Sequence, residues 1–170
     1  MSRRPSPRSR SRQRHARRAR HRPAGAHPRA HTRGLSGKST KAVERRLISS
    51  GAPWEERYGY SRAVVSGRHV YVAGTAPVMP DGVPLPRGAY GQARRCLEII
   101  LRALEDAGAR PDDVVRTRIF LIDAKDFDEV GRAHGEVFGR IRPATTGVVV
   151  SGLLDPGWLV EIEAEAIIGA

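Results

Sequence analysis

The sequence predicts an α+β fold: one mixed β-sheet with two helices packed on one of its faces, preceded by a basic tail. Two apolar stripes recur at helical period, over residues 89–108 and 125–140. Short runs of β-branched residues, bounded by Gly, Pro, Ser and Asp, flank both stripes. All of this signal lies in residues 44–170, a length that suits one domain of roughly 100–200 residues.

Taken in order, residues 45–49 (RRLIS) read as a short opening strand. Residues 51–61 (GAPWEERYGYS) combine Gly51, Pro53 and Gly59 with Trp54, Tyr58 and Tyr60, a composition of loops that fold over a surface. Residues 62–65 and 69–74 form a hairpin closed at Ser66-Gly67, where glycine supplies the positive φ of a tight turn. Four prolines in residues 75–88 exclude a strand or helix and make a surface loop. Over 89–108, Ala89, Ala93, Cys96, Ile100, Ala103, Leu104 and Ala107 fall at spacings of 4, 3, 4, 3, 1 and 3, one face of a helix stopped by Gly108. Arg94, Arg95, Glu98 and Arg102 supply its solvated face. Pro111-Asp112-Asp113 turns the chain into a strand over 114–122. The second helix, 125–140, places Phe127, Val130, His134, Val137, Phe138 and Ile141 on one face, with Asp123 or Asp126 as N-cap. Strands at 145–151 and 159–168, joined through Asp155-Pro156-Gly157, complete the order β-β-β-α-β-α-β-β. No third helix is left for the other sheet face, so a second copy of the chain is expected to cover it.

Charge divides the chain at the same place. Of 30 lysines and arginines, 14 lie in residues 1–43 with no acidic residue, which leaves 16 against 18 acidic residues for 44–170. The pI near 11.2 therefore describes a tail, and the domain is mildly acidic. The tail is almost free of large apolar side chains, cannot offset its ordering entropy by burial, and is expected to be disordered. It would bind nucleic acid nonspecifically, through salt-sensitive phosphate contacts. Arg3-Arg4 lacks the apolar stretch of an export signal, prolines interrupt any transit-peptide helix, and Gly37-Lys38-Ser39 lacks the glycine and strand of a phosphate-binding loop. Translation starting downstream of Met1 is the alternative account of the segment. A single cysteine excludes an intrachain disulfide and, with no apolar run of about 18 residues, a cytoplasmic protein that spans no membrane is expected.

Few residues in the domain suit chemistry. Cys96 falls in an apolar stripe and reads as an inert buried thiol. His134, on an apolar helix face, reads as a hydrogen-bonded core histidine, and only His69 accompanies it, so no metal site is expected. Glu161, Glu163 and Glu165 alternate with Val160, Ile162, Ala164 and Ala166 and share one sheet face, about 7 Å apart. Like charges at that spacing raise a carboxyl pKa, as proton transfer needs. Ion pairing with Arg116 and Arg118 accounts for the same pattern equally well.

The motifs VYVAGTAP, GQARRCLEIILRALEDAG, DVVRTRIFLID, RPAT and LVEIEAEAI, in this order over residues 50–170, resemble the Rid family (YjgF-like, reactive intermediate deaminases). The resemblance implies a chorismate-mutase-like fold, a homotrimer built on a central barrel, and clefts between neighbouring subunits that hydrolyse enamines or imines such as 2-aminoacrylate without a cofactor. It assigns the cleft tyrosine to Tyr60, the carboxylate that handles water to Glu161, and backbone donors to Gly74, Thr75 and Gly147. The arginine that the family places after Pro-Ala to grip a substrate carboxylate is Thr145 here. Threonine has neither its charge nor its two-pronged reach. The resemblance is therefore to a subgroup lacking the arginine, with a small-molecule substrate other than 2-aminoacrylate, oriented by Thr145, Thr146 and the Gly147 amide. Arg62 and Arg142 are the candidates to stand in for it. The alternatives are a noncatalytic trimer that binds a small ligand and an RNA-associated protein driven by the tail.

Overall fold

A computed structural model of the chain describes residues 43–170. The expected tail, apart from Val43, lies outside the described residues. Nine elements follow in order: β1 (Arg45–Ile48), α1 (Pro53–Tyr58), β2 (Ala63–Ser66), β3 (His69–Thr75), α2 (Gly88–Ala107), β4 (Val114–Leu121), α3 (Phe127–Phe138), β5 (Ala144–Val149) and β6 (Val160–Ile167). Single 3-10 turns at Pro111–Asp113 and Ala124–Asp126 lead into β4 and α3.

The strands form one six-stranded mixed sheet in the order β1-β2-β3-β6-β4-β5. Among neighbouring strands only β4 and β5 pair in parallel, and α3 provides the crossover that a parallel pair requires. The expected α+β architecture is therefore the observed one. Its core lies between the sheet and α2: Val160, Ile162, Ala164 and Ala166 are buried against a helix whose Ala89, Ala93, Cys96, Ile100, Ala103, Leu104 and Ala107 are all buried too. Gly108 ends α2 in the left-handed conformation at φ 80°. The hairpin of β2 and β3 turns at Gly67, φ 60°, with Ser66 paired to His69.

Two local expectations change and one pair of alternatives is decided. Residues 53–58, read as loop, form α1: Pro53 pre-sets the first turn and Gly59, left-handed at φ 70°, ends it. Six residues are too few for a periodic stripe to show. Asp123, not Asp126, is the working cap, accepting from the Lys125 amide at 3.0 Å. Phe127 does not join the core; it is 48% exposed and lies against Gly147, where an added Cβ would run into its ring.

Between Val72 and Thr75, β3 advances three residues while its partner β6 advances two, from Ala164 to Ile162. This β-bulge takes Ala73 and Gly74 out of the ladder beside Glu161.

Candidate functional site

The three glutamates of β6 share the face opposite the helices, but their surroundings differ. Arg118, facing Glu163 across β4 and β6, bonds Glu163 at 3.0 Å and Glu165 at 3.1 Å. The hydrogen bond that Arg118 donates to Glu163, with both carboxylate charges, raises the Arg118 pKa against the pull of desolvation. Among the described residues Arg116 pairs with neither, and Glu161 enters no hydrogen bond or ion pair. The two explanations of the acidic row thus divide it: Glu163 and Glu165 form the ion-paired part, and Glu161 is the free carboxylate.

Glu161 is placed by the bulge. Its carboxylate lies so close over Gly74 that a Cβ there would collide with Oε1. Gln92 of α2 fixes the start of the strand, accepting from the Leu159 amide at 2.8 Å and donating to the Gly157 carbonyl at 3.0 Å. Burial pushes the Glu161 pKa above the usual carboxylate value, the neighbouring Glu163 charge pushes it further, and Arg62 pulls partly back.

Arg62 is the second member of this group. Its Nη2 donates to the carbonyls of Ala73 at 2.7 Å and Gly74 at 2.6 Å, so the guanidinium holds the bulge by its backbone. Its Nε is buried without a hydrogen-bond partner. Burial lowers the Arg62 pKa, against the charges of Tyr60, Glu55 and Glu161 nearby. A side chain so engaged positions the bulge; it is not presented as a fork for a substrate carboxylate. Glu55, 8% exposed, anchors α1 by accepting from Ser49 Oγ at 2.5 Å and from the Ser50 amide and hydroxyl at 2.9 and 2.6 Å. Burial alone would raise its pKa, but these bonds and Arg62 bring it below the ordinary value.

Tyr60, 43% exposed, follows the left-handed Gly59. It lines an open depression of about 580 Å³ with Glu55, Val64, Tyr71 and Ala73. Glu161 is not among the residues lining that depression, though Tyr60 and Glu161 both act on the charge of Arg62. Thr75 is fully buried on the core face, its hydroxyl donated to the Ala73 carbonyl at 2.8 Å.

On the edge strand β5, alternation separates the remaining residues. Thr146 pairs with Arg118 and Thr145 with Thr117, so Thr146 shares the glutamate face while Thr145 and Gly147 point toward α3. Within the chain, Thr145 and Glu161 therefore stand on opposite faces of the sheet. Thr145 Oγ1 lies 2.9 Å from Thr117 Oγ1 and 3.0 Å from the Pro143 carbonyl, and Thr117 Oγ1 lies 3.0 Å from His134 Nε2. Burial lowers the His134 pKa, and the ring packs 4.9 Å from Phe138. His134 is thus hydrogen-bonded as expected, but half-buried at the margin of the core. Cys96 is fully buried and its thiol is pushed up to about 12, mainly by burial, so it stays protonated and unreactive. Among the described residues no group of three or more His, Cys, Asp or Glu could hold a metal ion, and no helix is long and apolar enough to cross a membrane.

Sequence reasoning missed the roles of Arg62, Gln92 and Thr117. Each acts on a backbone or side chain remote in sequence, and no local motif marks it.

A family profile described as Endoribonuclease L-PSP matches residues 52–168. An uncharacterized protein of Streptomyces coelicolor is 40% identical over 132 residues, 78% of this chain and 97% of the relative. The 2-iminobutanoate/2-iminopropanoate deaminase of Capra hircus is 32% identical over 129 residues, covering 75% of this chain and 93% of its own. The crystal structure of a Mycobacterium tuberculosis member of the YjgF/YER057c/UK114 family is 46% identical and superposes with a TM-score of 0.67, over 74% of this chain and all of that one. With its six-stranded mixed sheet and its helical layer, and with the profile spanning nearly the whole described domain, this chain belongs to the YjgF (Rid) family.

Proposed function

We propose that the protein is an enamine or imine deaminase-like hydrolase acting on a small reactive metabolite in a cleft between subunits of a homotrimer. The observation that carries this reading is Glu161: a half-buried carboxylate, left unpaired beside two ion-paired neighbours, with its pKa raised and its position set by the Gly74 bulge. Its role is to take a proton from water as the oxygen attacks the imine carbon. The imine nitrogen gains that proton to give the carbinolamine; its hydroxyl proton then passes to the nitrogen as the carbon–nitrogen bond breaks, and a carbonyl compound and ammonia leave. An enamine substrate first tautomerises to the imine. Tyr60 closes the cleft, and the Gly74–Thr75 backbone, Thr145, Thr146 and the Gly147 amide orient the substrate. The relatives named as iminobutanoate/iminopropanoate deaminases support the reaction class. Threonine at 145 directs the choice of substrate away from 2-aminoacrylate.

The opposed faces of Thr145 and Glu161 support a cleft whose two walls come from different protomers. Ammonia release is to be measured on a panel of imines generated in situ. Glu161→Ala is expected to reduce it by about 100-fold or more, the scale of a lost general base; unchanged release removes Glu161 from the mechanism. Thermal stabilisation by ligands with no turnover of any imine would favour the noncatalytic binding trimer.

A further inference from the structure

The chain of hydrogen bonds His134–Thr117–Thr145–Pro143 has one direction in which every link is made. The Pro143 carbonyl can only accept, so the single hydroxyl proton of Thr145 is donated to it across 3.0 Å. The 2.9 Å contact between the two threonines must then be donated by Thr117, which uses that residue's only proton. The 3.0 Å contact between Thr117 Oγ1 and His134 Nε2 still needs a donor, and Nε2–H is the one left. Reversing the chain leaves fully buried Thr117 both of its partners but breaks the Pro143 link, so that link is what sets the direction. Protonating His134 keeps the Nε2–H, so the direction is the same in both charge states of the ring.

We infer that Thr145 meets its ligand as a hydrogen-bond acceptor only, and so selects an amide, amine or hydroxyl group over a carboxylate. This rests on the reading of the site as a small-molecule cleft. A carboxylate has no proton to offer. Against an oxygen whose own proton is committed, it gives up water and gains no bond. An N–H or O–H group meets the free lone pair of Thr145 directly. Threonine at this position is thus a different recognition device, with the opposite hydrogen-bond polarity from a cationic donor, and not merely a lost contact.

Two measurements on the full chain test it. In nitrogen NMR of histidine-labelled protein, with His134 assigned by its loss in His134→Gln, the protonated nitrogen of the neutral ring is expected to be Nε2. Thr117→Val should return the ring toward the tautomer mixture of free imidazole. A bare Nε2 in the wild type overturns the direction of the chain. In calorimetry, 2-oxobutanamide is expected to bind at least about tenfold more tightly than 2-oxobutanoate. Thr145→Val, which keeps the shape and removes the acceptor, should erase that ratio. Equal binding, tighter binding of the acid, binding of neither, or a ratio that survives Thr145→Val overturns the assignment. Both readouts are made without turnover, so they fail independently of the Glu161-dependent release of ammonia.

Discussion

At Glu161 the side chain works against the fold that holds it. Burial and the Glu163 charge raise its pKa, so folding disfavours the ionised form. A raised carboxyl pKa contributes stability below the unfolded value of about 4.3, and that contribution is lost as pH rises through the folded value. Glu161→Gln keeps the shape and removes the charge. It is therefore expected to raise the melting temperature at pH 7 by about 4 °C, equivalent to ~1 kcal/mol, and the advantage should shrink to nothing as pH falls below about 4. Thermal melts of both proteins from pH 4 to 8 check this; a variant less stable at neutral pH would show that Glu161 is held by interactions that favour its charge. A stability gain coupled to lost activity is the mark of a residue kept for chemistry.

At the scale of elements, the β3 bulge brings the Gly74 backbone against the Glu161 carboxylate. A Cβ at Gly74 would collide with the end of the flexible Glu161 side chain, which can swing away, and not with backbone. Gly74→Ala should therefore shift the melting temperature by less than about 2 °C while reducing ammonia release at least about tenfold through misplacement of the carboxylate. A large loss of stability would mean that the bulge itself had collapsed. The two long helices and most of the strands were legible in the sequence because their spacing is a local property: the stripe from Ala89 to Ala107 and the alternation of Val160–Ile167 both reappear as buried faces. The bulge was not, since it exists only as a mismatch of register between β3 and a strand some 90 residues later. For the same reason spacing left the β6 glutamates equivalent, and resemblance alone singled out Glu161. What separates them is Arg118 on a neighbouring strand and Arg62 beneath the bulge, pairings that sequence distance hides.

For the whole molecule, the decisive question is whether one protomer holds a complete site. Glu161 lies on β6 and faces away from the helices, whereas Thr145 and Gly147 lie on the edge strand β5, two strands away, and face α3. Every residue of β5 is exposed in the protomer, including Val148 and Val149, which suits a strand that meets a neighbour. If each cleft of the proposed trimer takes its Glu161 wall from one subunit and its β5 wall from the next, two inactive variants can complement each other. Glu161→Ala removes the first wall. Gly147→Ala drives a Cβ into the Phe127 ring and disturbs the second. Unfolded separately, mixed in equal amounts and refolded together, the two should yield heterotrimers in which about one quarter of the clefts combine an intact Glu161 wall with an intact β5 wall, and ammonia release should recover to roughly that fraction of wild type. Sedimentation of the mixture checks that the trimer has re-formed. Recovery cannot occur if both walls belong to the same protomer, because each chain in the mixture carries one broken half; a re-formed trimer with no activity would therefore place the whole site within a single subunit.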